Sequence, residues 1–175
     1  MTLRAAVLTI SDSAHRGQRT DLSGPAVCKR VEQLGWTVGE TRILPDEGAL
    51  IQAALAGLAA SGKVDLILTT GGTGVSPRDV TPEATKAVID REIPGIGETM
   101  RRVGQAKTPR AILSRSTAGL AGTVLIVNLP GSPKGAIESL DAIAELVPHI
   151  VDLAAGRTAH PEPPQPDRPP QRPLN

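Results

Sequence analysis

Strand-forming runs recur along the chain, each short and each closed by a polar or glycine-bearing turn: Leu3 to Ile10, Thr37 to Leu44, Val64 to Thr70 and Thr123 to Leu129. Runs of this length, rich in β-branched residues and bounded by turn signals, predict strands, and the unbroken apolar ones predict strands buried on both faces. Helical spacing fills the gaps between them. Ser23-Gly24-Pro25 offers a cap and a first-turn proline to a helix carrying Val27, Val31 and Leu34, with Gly35 as its stop. Asp46 is placed to cap a second helix, Glu47 to about Ala60, which Gly62 ends. Thr81-Pro82-Glu83 opens a third, predicted to run through about Glu92. Strands alternating with helices predict βαβ units, hence a three-layer α/β/α domain on a mostly parallel sheet.

The rhythm breaks at Ile93-Pro94-Gly95. A short helix is predicted from Gly97 to Gln105, carrying Arg101 and Arg102, and Pro109 ends that piece. Ile112 to Leu120 and Thr123 to Leu129, separated by Ala121-Gly122, read as a hairpin that puts an antiparallel edge on the sheet. Ser132 and Pro133 then start a last helix through Ile137, Leu140, Ile143, Ala144 and Val147, with Pro148 marking a kink or break and the end near Gly156. Residues 1–156 therefore read as one domain. Residues 157–175 are dense in proline and polar groups, a composition that buries no apolar surface, and are expected to be extended or disordered.

Composition narrows the function. Hydrophobic residues make up 39% of the 175, but aromatics only 1%, so the core must be aliphatic with Trp36 as its one ring. Without Phe or Tyr there is no base-stacking surface, and a net charge of +1 with interspersed signs leaves no basic stripe. Nucleic-acid binding is thereby disfavoured. The single cysteine, Cys28, allows no internal disulfide and reads as a small helix-core residue. No apolar run reaches the length of a membrane span, and MTLRAAVLTI is too short in its apolar part for a signal peptide, so a soluble cytoplasmic protein is the default expectation.

Chemistry concentrates at the predicted strand ends. Val64 to Thr70 stops at Gly71, Gly72 and Gly74, three glycines in four residues, interleaved with the hydroxyls of Thr70 and Thr73. Glycines there leave backbone N–H groups free to converge on an oxyanion, outside the carboxyl end of a strand where α/β proteins bind ligands. The segment lacks the lysine of a P-loop and the spacing of a dinucleotide fingerprint. A tight βα turn that needs glycine for geometry alone is the plainer alternative; Asp79, five residues beyond Gly74, favours the functional one. Ser11 and Asp12, Asp46, and the Pro130-Gly131-Ser132 turn stand at other strand ends. If the strands are parallel, all these groups share one edge. Carboxylates and oxyanion-binding turns together suit a phosphate ester with Mg²⁺, and Arg78 and Arg115 add positive charge. His15, His149 and His160 form no catalytic or metal-binding pattern. From pattern alone the ligand is phosphorylated, with nucleotides among the candidates.

These residues resemble the MogA/MoaB family of molybdenum cofactor biosynthesis proteins, to which the gephyrin and plant Cnx G domains are similar. The resemblance rests on Leu68 to Gly74 (LTTGGTG) followed by Asp79 and Thr81. Ile10-Ser11-Asp12, Asp21 to Gly24, Leu44 to Glu47, Pro94 to Arg101, Ile112 to Arg115 and Asn128 to Lys134 extend it over about residues 3 to 153. It implies an α/β/α fold assembled as homotrimers, or hexamers in some members. It also implies adenylylation of molybdopterin by Mg²⁺ and ATP, with pyrophosphate released and the product passed to a MoeA-type molybdate-inserting partner. Asp46 and Asp79 match the family's essential acidic pair, expected to act on Mg²⁺ and substrate. Ser11, Asp12, Thr70 to Gly74, Arg115 and Pro130 to Ser132 are expected around the ligand phosphates. Two other readings compete: a MoaB-type protein that binds pterin or scaffolds without adenylylating, and a nucleotide-cleaving enzyme similar to the competence-damage-inducible family.

Overall fold

A computed structural model of the chain describes residues 2–157. The chain runs β1 (Arg4–Ile10), α1 (Asp12–His15), α2 (Ser23–Gln33), β2 (Thr37–Leu44), α3 (Gly48–Ala60), β3 (Leu66–Thr70), α4 (Thr81–Lys86), β4 (Arg91–Glu92), α5 (Pro94–Gln105), a 3₁₀ turn (Pro109–Leu113), β5 (Ala118–Ala121), β6 (Val124–Leu129), α6 (Pro133–Asp141) and α7 (Val147–Ala154). The six strands lie in the order β2-β1-β3-β6-β5-β4. β2, β1, β3 and β6 are parallel neighbours, whereas β5 pairs antiparallel with both β6 and β4. The expected architecture, a mostly parallel sheet with an antiparallel edge, is thus the observed one.

Strand alternation divides the core in two. Successive side chains point to opposite faces, so Ala5, Val7, Leu66, Leu68, Leu125 and Val127 join the cluster under α2, α5, α6 and α7. Ala6, Leu8, Ile10, Ile67, Val124 and Ile126 join the one under α3 and α4. β3 and β6 are buried at every position, as runs covered on both faces must be. Trp36 packs partly buried at the margin of the first cluster. Among the described residues no helix is long and apolar enough to cross a membrane.

Several local expectations are corrected. The helix from Thr81 stops at Lys86, not Glu92, because the chain at Arg91–Glu92 joins the sheet: the Asp90 and Ile93 amides donate to the carbonyls of Leu120 and Ala118. Only Ala118–Ala121 of the first hairpin arm is strand, since the backbone N–H of Arg115 leaves the sheet to bond the carbonyl of Thr73. α5 begins at Pro94 rather than Gly97, with proline in its first turn. The C-terminal helix is two helices, and Pro148, which has no N–H to donate, sits in the first turn of α7. Asp46 does not cap α3, and Ser23 does not cap α2: the Asp21 carboxylate accepts the amides of Ser23 and Gly24 instead. Ser11 caps a short helix, α1, where only a polar strand end was expected. Of the proline-rich segment only Arg157 lies within the described residues, paired with Asp152.

Candidate functional site

The carboxyl ends of four parallel strands open on one edge, and the backbone there is packed too closely for side chains. Gly71 has φ +107°, and a Cβ on it would lie 2.2 Å from the carbonyl oxygen of Ile10 at the end of β1. Gly72 has φ +64°, and its Cβ would meet the Thr81 hydroxyl at 2.2 Å and an Asp46 carboxylate oxygen at 3.3 Å. The turns after β3 and β6 touch, since a Gly131 Cβ would stand 3.2 Å from the Gly71 Cα. Cross-links fix this contact: the Gly71 amide donates to Leu129, and the buried Thr70 hydroxyl donates to Pro130 at 2.7 Å. Behind it, the Asn128 amide nitrogen donates to the hydroxyls of Thr69 and Thr85, tying β6, β3 and α4 together.

Asp12 and Asp46 brace each other across the ends of β1 and β2. Each carboxylate accepts the other's backbone N–H, at 2.8 Å into Asp46 and 3.2 Å into Asp12. Arg78 reaches over to Asp12, donating through Nη2 at 2.6 Å and Nε at 3.1 Å, and this contact lowers the Asp12 carboxyl below the usual range. Asp46 is shifted the other way, raised first by burial and then by the charges of Asp12 and Asp79, against the lowering effects of the Asp12 amide and Arg78. Asp79 closes its own loop, its carboxylate accepting the Ser76 amide at 2.8 Å and lying 2.9 Å from the position of a Gly74 Cβ.

Arg115 lies beneath this loop. Its Nε donates to the Gly74 carbonyl at 2.7 Å, and its two terminal nitrogens meet the carboxylate of Glu83 and the carbonyl of Asp79. Thr81, at the start of α4, adds a bond from its hydroxyl to the Gly71 carbonyl. The loop between Gly71 and Asp79 is therefore held at both ends.

Two hollows flank the joined turns. A cleft of about 390 Å³ is walled by Gly72 to Gly74, Asp79, Pro130 to Ser132 and, from α5 and its sequel, Met100, Arg101, Leu113 and Ser114. A smaller, more polar hollow of about 230 Å³ lies across Gly71 and Gly131, against Ser11, Arg19, Asp21 and Ser23. Among the expected residues, Thr73, Gly74, Asp79, Pro130 and Ser132 line the first hollow, Ser11, Thr70 and Gly71 the second, and Gly72 and Gly131 both. Asp12, Asp46 and Arg115 line neither. Met100, Arg101 and Ser114 were not anticipated as wall residues; a helix over Gly97 to Gln105 was expected, but nothing local said which sheet end it would cover.

A family model described as the probable molybdopterin binding domain matches residues 6–149. A molybdopterin adenylyltransferase of Helicobacter pylori (strain J99) is 42% identical over 157 residues, 89% of each chain. In structure, the molybdopterin biosynthesis enzyme MoaB of Thermus thermophilus superposes with a TM-score of 0.83 at 47% identity, covering 89% of this chain and 98% of its own. The Mog protein of Mycobacterium ulcerans gives 0.82 at 42% identity, over 89% and 99%. The chain belongs to the molybdopterin-binding family of molybdenum cofactor biosynthesis proteins.

Proposed function

We propose that the protein adenylylates molybdopterin with ATP, giving adenylyl-molybdopterin and pyrophosphate in molybdenum cofactor biosynthesis. The observation that carries the reading is the cleft in which the Gly72 to Gly74 turn, Asp79 and the Pro130 to Ser132 turn converge, in a chain 42% identical to a molybdopterin adenylyltransferase over nearly its whole length. In this reaction a phosphate oxygen of molybdopterin attacks the α-phosphorus of ATP. The new P–O bond forms as the bond to the β-phosphate oxygen breaks, and pyrophosphate leaves with that electron pair. In-line placement and neutralisation of phosphate charge do most of the work in such transfers. The fixed turns supply placement, and backbone N–H groups from glycine turns suit phosphate oxygens.

Mg²⁺ fits the donor set. Asp46 is raised by burial and by the charges of Asp12 and Asp79, with Arg78 set against them and Arg16 adding to it at Asp12; a divalent cation would relieve the remaining excess. Asp46 and Asp79 would hold it. A magnesium ion is commonly bound by one or two carboxylates and completed by phosphates and water. When bound, the ion would neutralise charge on the phosphates.

The reading extends to a homotrimer, to a MoeA-type protein that receives the product for molybdate insertion, and to the cytoplasm as the place of work. Binding of molybdopterin without turnover is the second reading, favoured by the family model over residues 6–149, which is described as a probable molybdopterin binding domain. The test is pyrophosphate release and label transfer from α-labelled ATP to molybdopterin in the presence of Mg²⁺. Transfer is expected in the wild type and about a hundredfold less in Asp79→Asn and Asp46→Asn, the scale of losing one charge-stabilising group. Full transfer in both variants overturns their role; binding without transfer in the wild type selects the second reading.

A further inference from the structure

Of the arginines close to the site, Arg78 and Arg115 have side-chain donors engaged by the protein. Arg78 gives Nε and Nη2 to Asp12. Arg115 gives all three nitrogens to Gly74, Glu83 and Asp79. Arg101, a residue of α5 in the wall of the larger cleft, differs. Its Nη1 alone is anchored, donating to the carbonyls of Ser114 at 3.3 Å and Ser116 at 3.1 Å, and among the described residues Nε and Nη2 have no partner. The guanidinium lies against Gly97, where a Cβ would stand 3.3 and 3.4 Å from its terminal nitrogens and 2.6 Å from the Ser116 carbonyl. The Ser116 carbonyl therefore leaves room for glycine alone at position 97, against which the guanidinium packs.

The pattern of use is specific. Nε and Nη2 form the side-on edge with which an arginine takes two oxygens of one phosphate or carboxylate. Anchoring through Nη1 leaves that edge whole and fixes the plane in advance, so little rotamer freedom remains to be lost on binding. Arg110, also in the wall, is exposed; of the carboxylates in the wall, Asp79 accepts the Ser76 amide and Glu138 lies 4.0 Å from Lys134. We propose that the Nε–Nη2 edge of Arg101 is the phosphate-binding fork of this cleft, and that Arg115 holds the loop rather than the ligand. The ligand's identity rests on the adenylylation reading: the phosphate is that of molybdopterin or one of those of ATP.

Steady-state kinetics of Arg101→Lys separate the two sources. Losing a charge-assisted fork raises KM by about tenfold or more for the substrate whose phosphate it holds: a rise for molybdopterin assigns the pterin phosphate, a rise for ATP the nucleotide. Both KM values within about twofold of the wild type, a margin well under the energy of one such bond, overturn the proposal. A measurement on the wild type guards against misfolding of the variant. The Arg101 Nε–H resonance in a ¹⁵N-arginine spectrum is expected to move on titration with inorganic pyrophosphate; no movement at saturating pyrophosphate overturns the fork. Failure of the reaction is read separately. If the wild type transfers no AMP yet binds molybdopterin, and Arg101→Lys weakens that binding about tenfold, the fork stands and adenylylation falls.

Discussion

At the scale of single residues, the unusual group is Asp46. Burial and the neighbouring charges raise its carboxyl, so ionising it is harder in the folded protein than in the unfolded chain. Its contribution to stability is present below its unfolded pKa and is lost as pH rises through the raised folded value. Asp12, lowered by Arg78, works in the opposite sense, adding stability above its unfolded pKa that is lost in acid, so the effect of Asp46 shows in a comparison of variants. Asp46→Asn, which keeps an oxygen to accept the Asp12 amide, is expected to match the wild type in thermal stability in acid and to exceed it increasingly towards neutral pH, while AMP transfer falls. A stability difference that does not change with pH contradicts this assignment. The place of Asp46 at a strand end was legible from the sequence; its brace to Asp12 was not, because the two are 34 residues apart and meet only when β1 and β2 pair in parallel register.

Among the elements, β3 with its turn and α4 shows how much local pattern conveys. The strand, its burial on both faces and the glycine turn at its end follow from composition and turn chemistry. The early end of α4 and the strand at Arg91–Glu92 do not, because they depend on hydrogen bonds to β5. Arg115 is the sharper case. As an isolated residue it suggests a phosphate contact, but in the fold it joins the turn after β3 to Asp79 and α4. Arg115→Ala is expected to speed amide exchange in residues 75–79 and to lower kcat about ten- to a hundredfold through lost placement. Its melting temperature should fall only slightly, since half-exposed ion pairs contribute about 0–1 kcal/mol. A rise in the KM for ATP with exchange unchanged would restore direct phosphate binding by Arg115.

For the whole molecule, the proposed assembly is a homotrimer. Light scattering at micromolar concentration is expected to give about three times the 18.1 kDa of the chain; a monomer at that concentration removes the trimer. By itself the sequence determined the alternation of strands and helices, the parallel sheet, the aliphatic core and the glycine turns, because each rests on periodicity or on local backbone freedom read within a few residues. Only the tertiary structure decided that the turns after β3 and β6 touch, that Asp12 and Asp46 brace each other, that Arg115 is consumed by the loop, and that Arg101 stands in the cleft with two donors free. Those facts depend on the spatial order of strands and on hydrogen-bond partners 13 to 60 residues away, which no local pattern encodes.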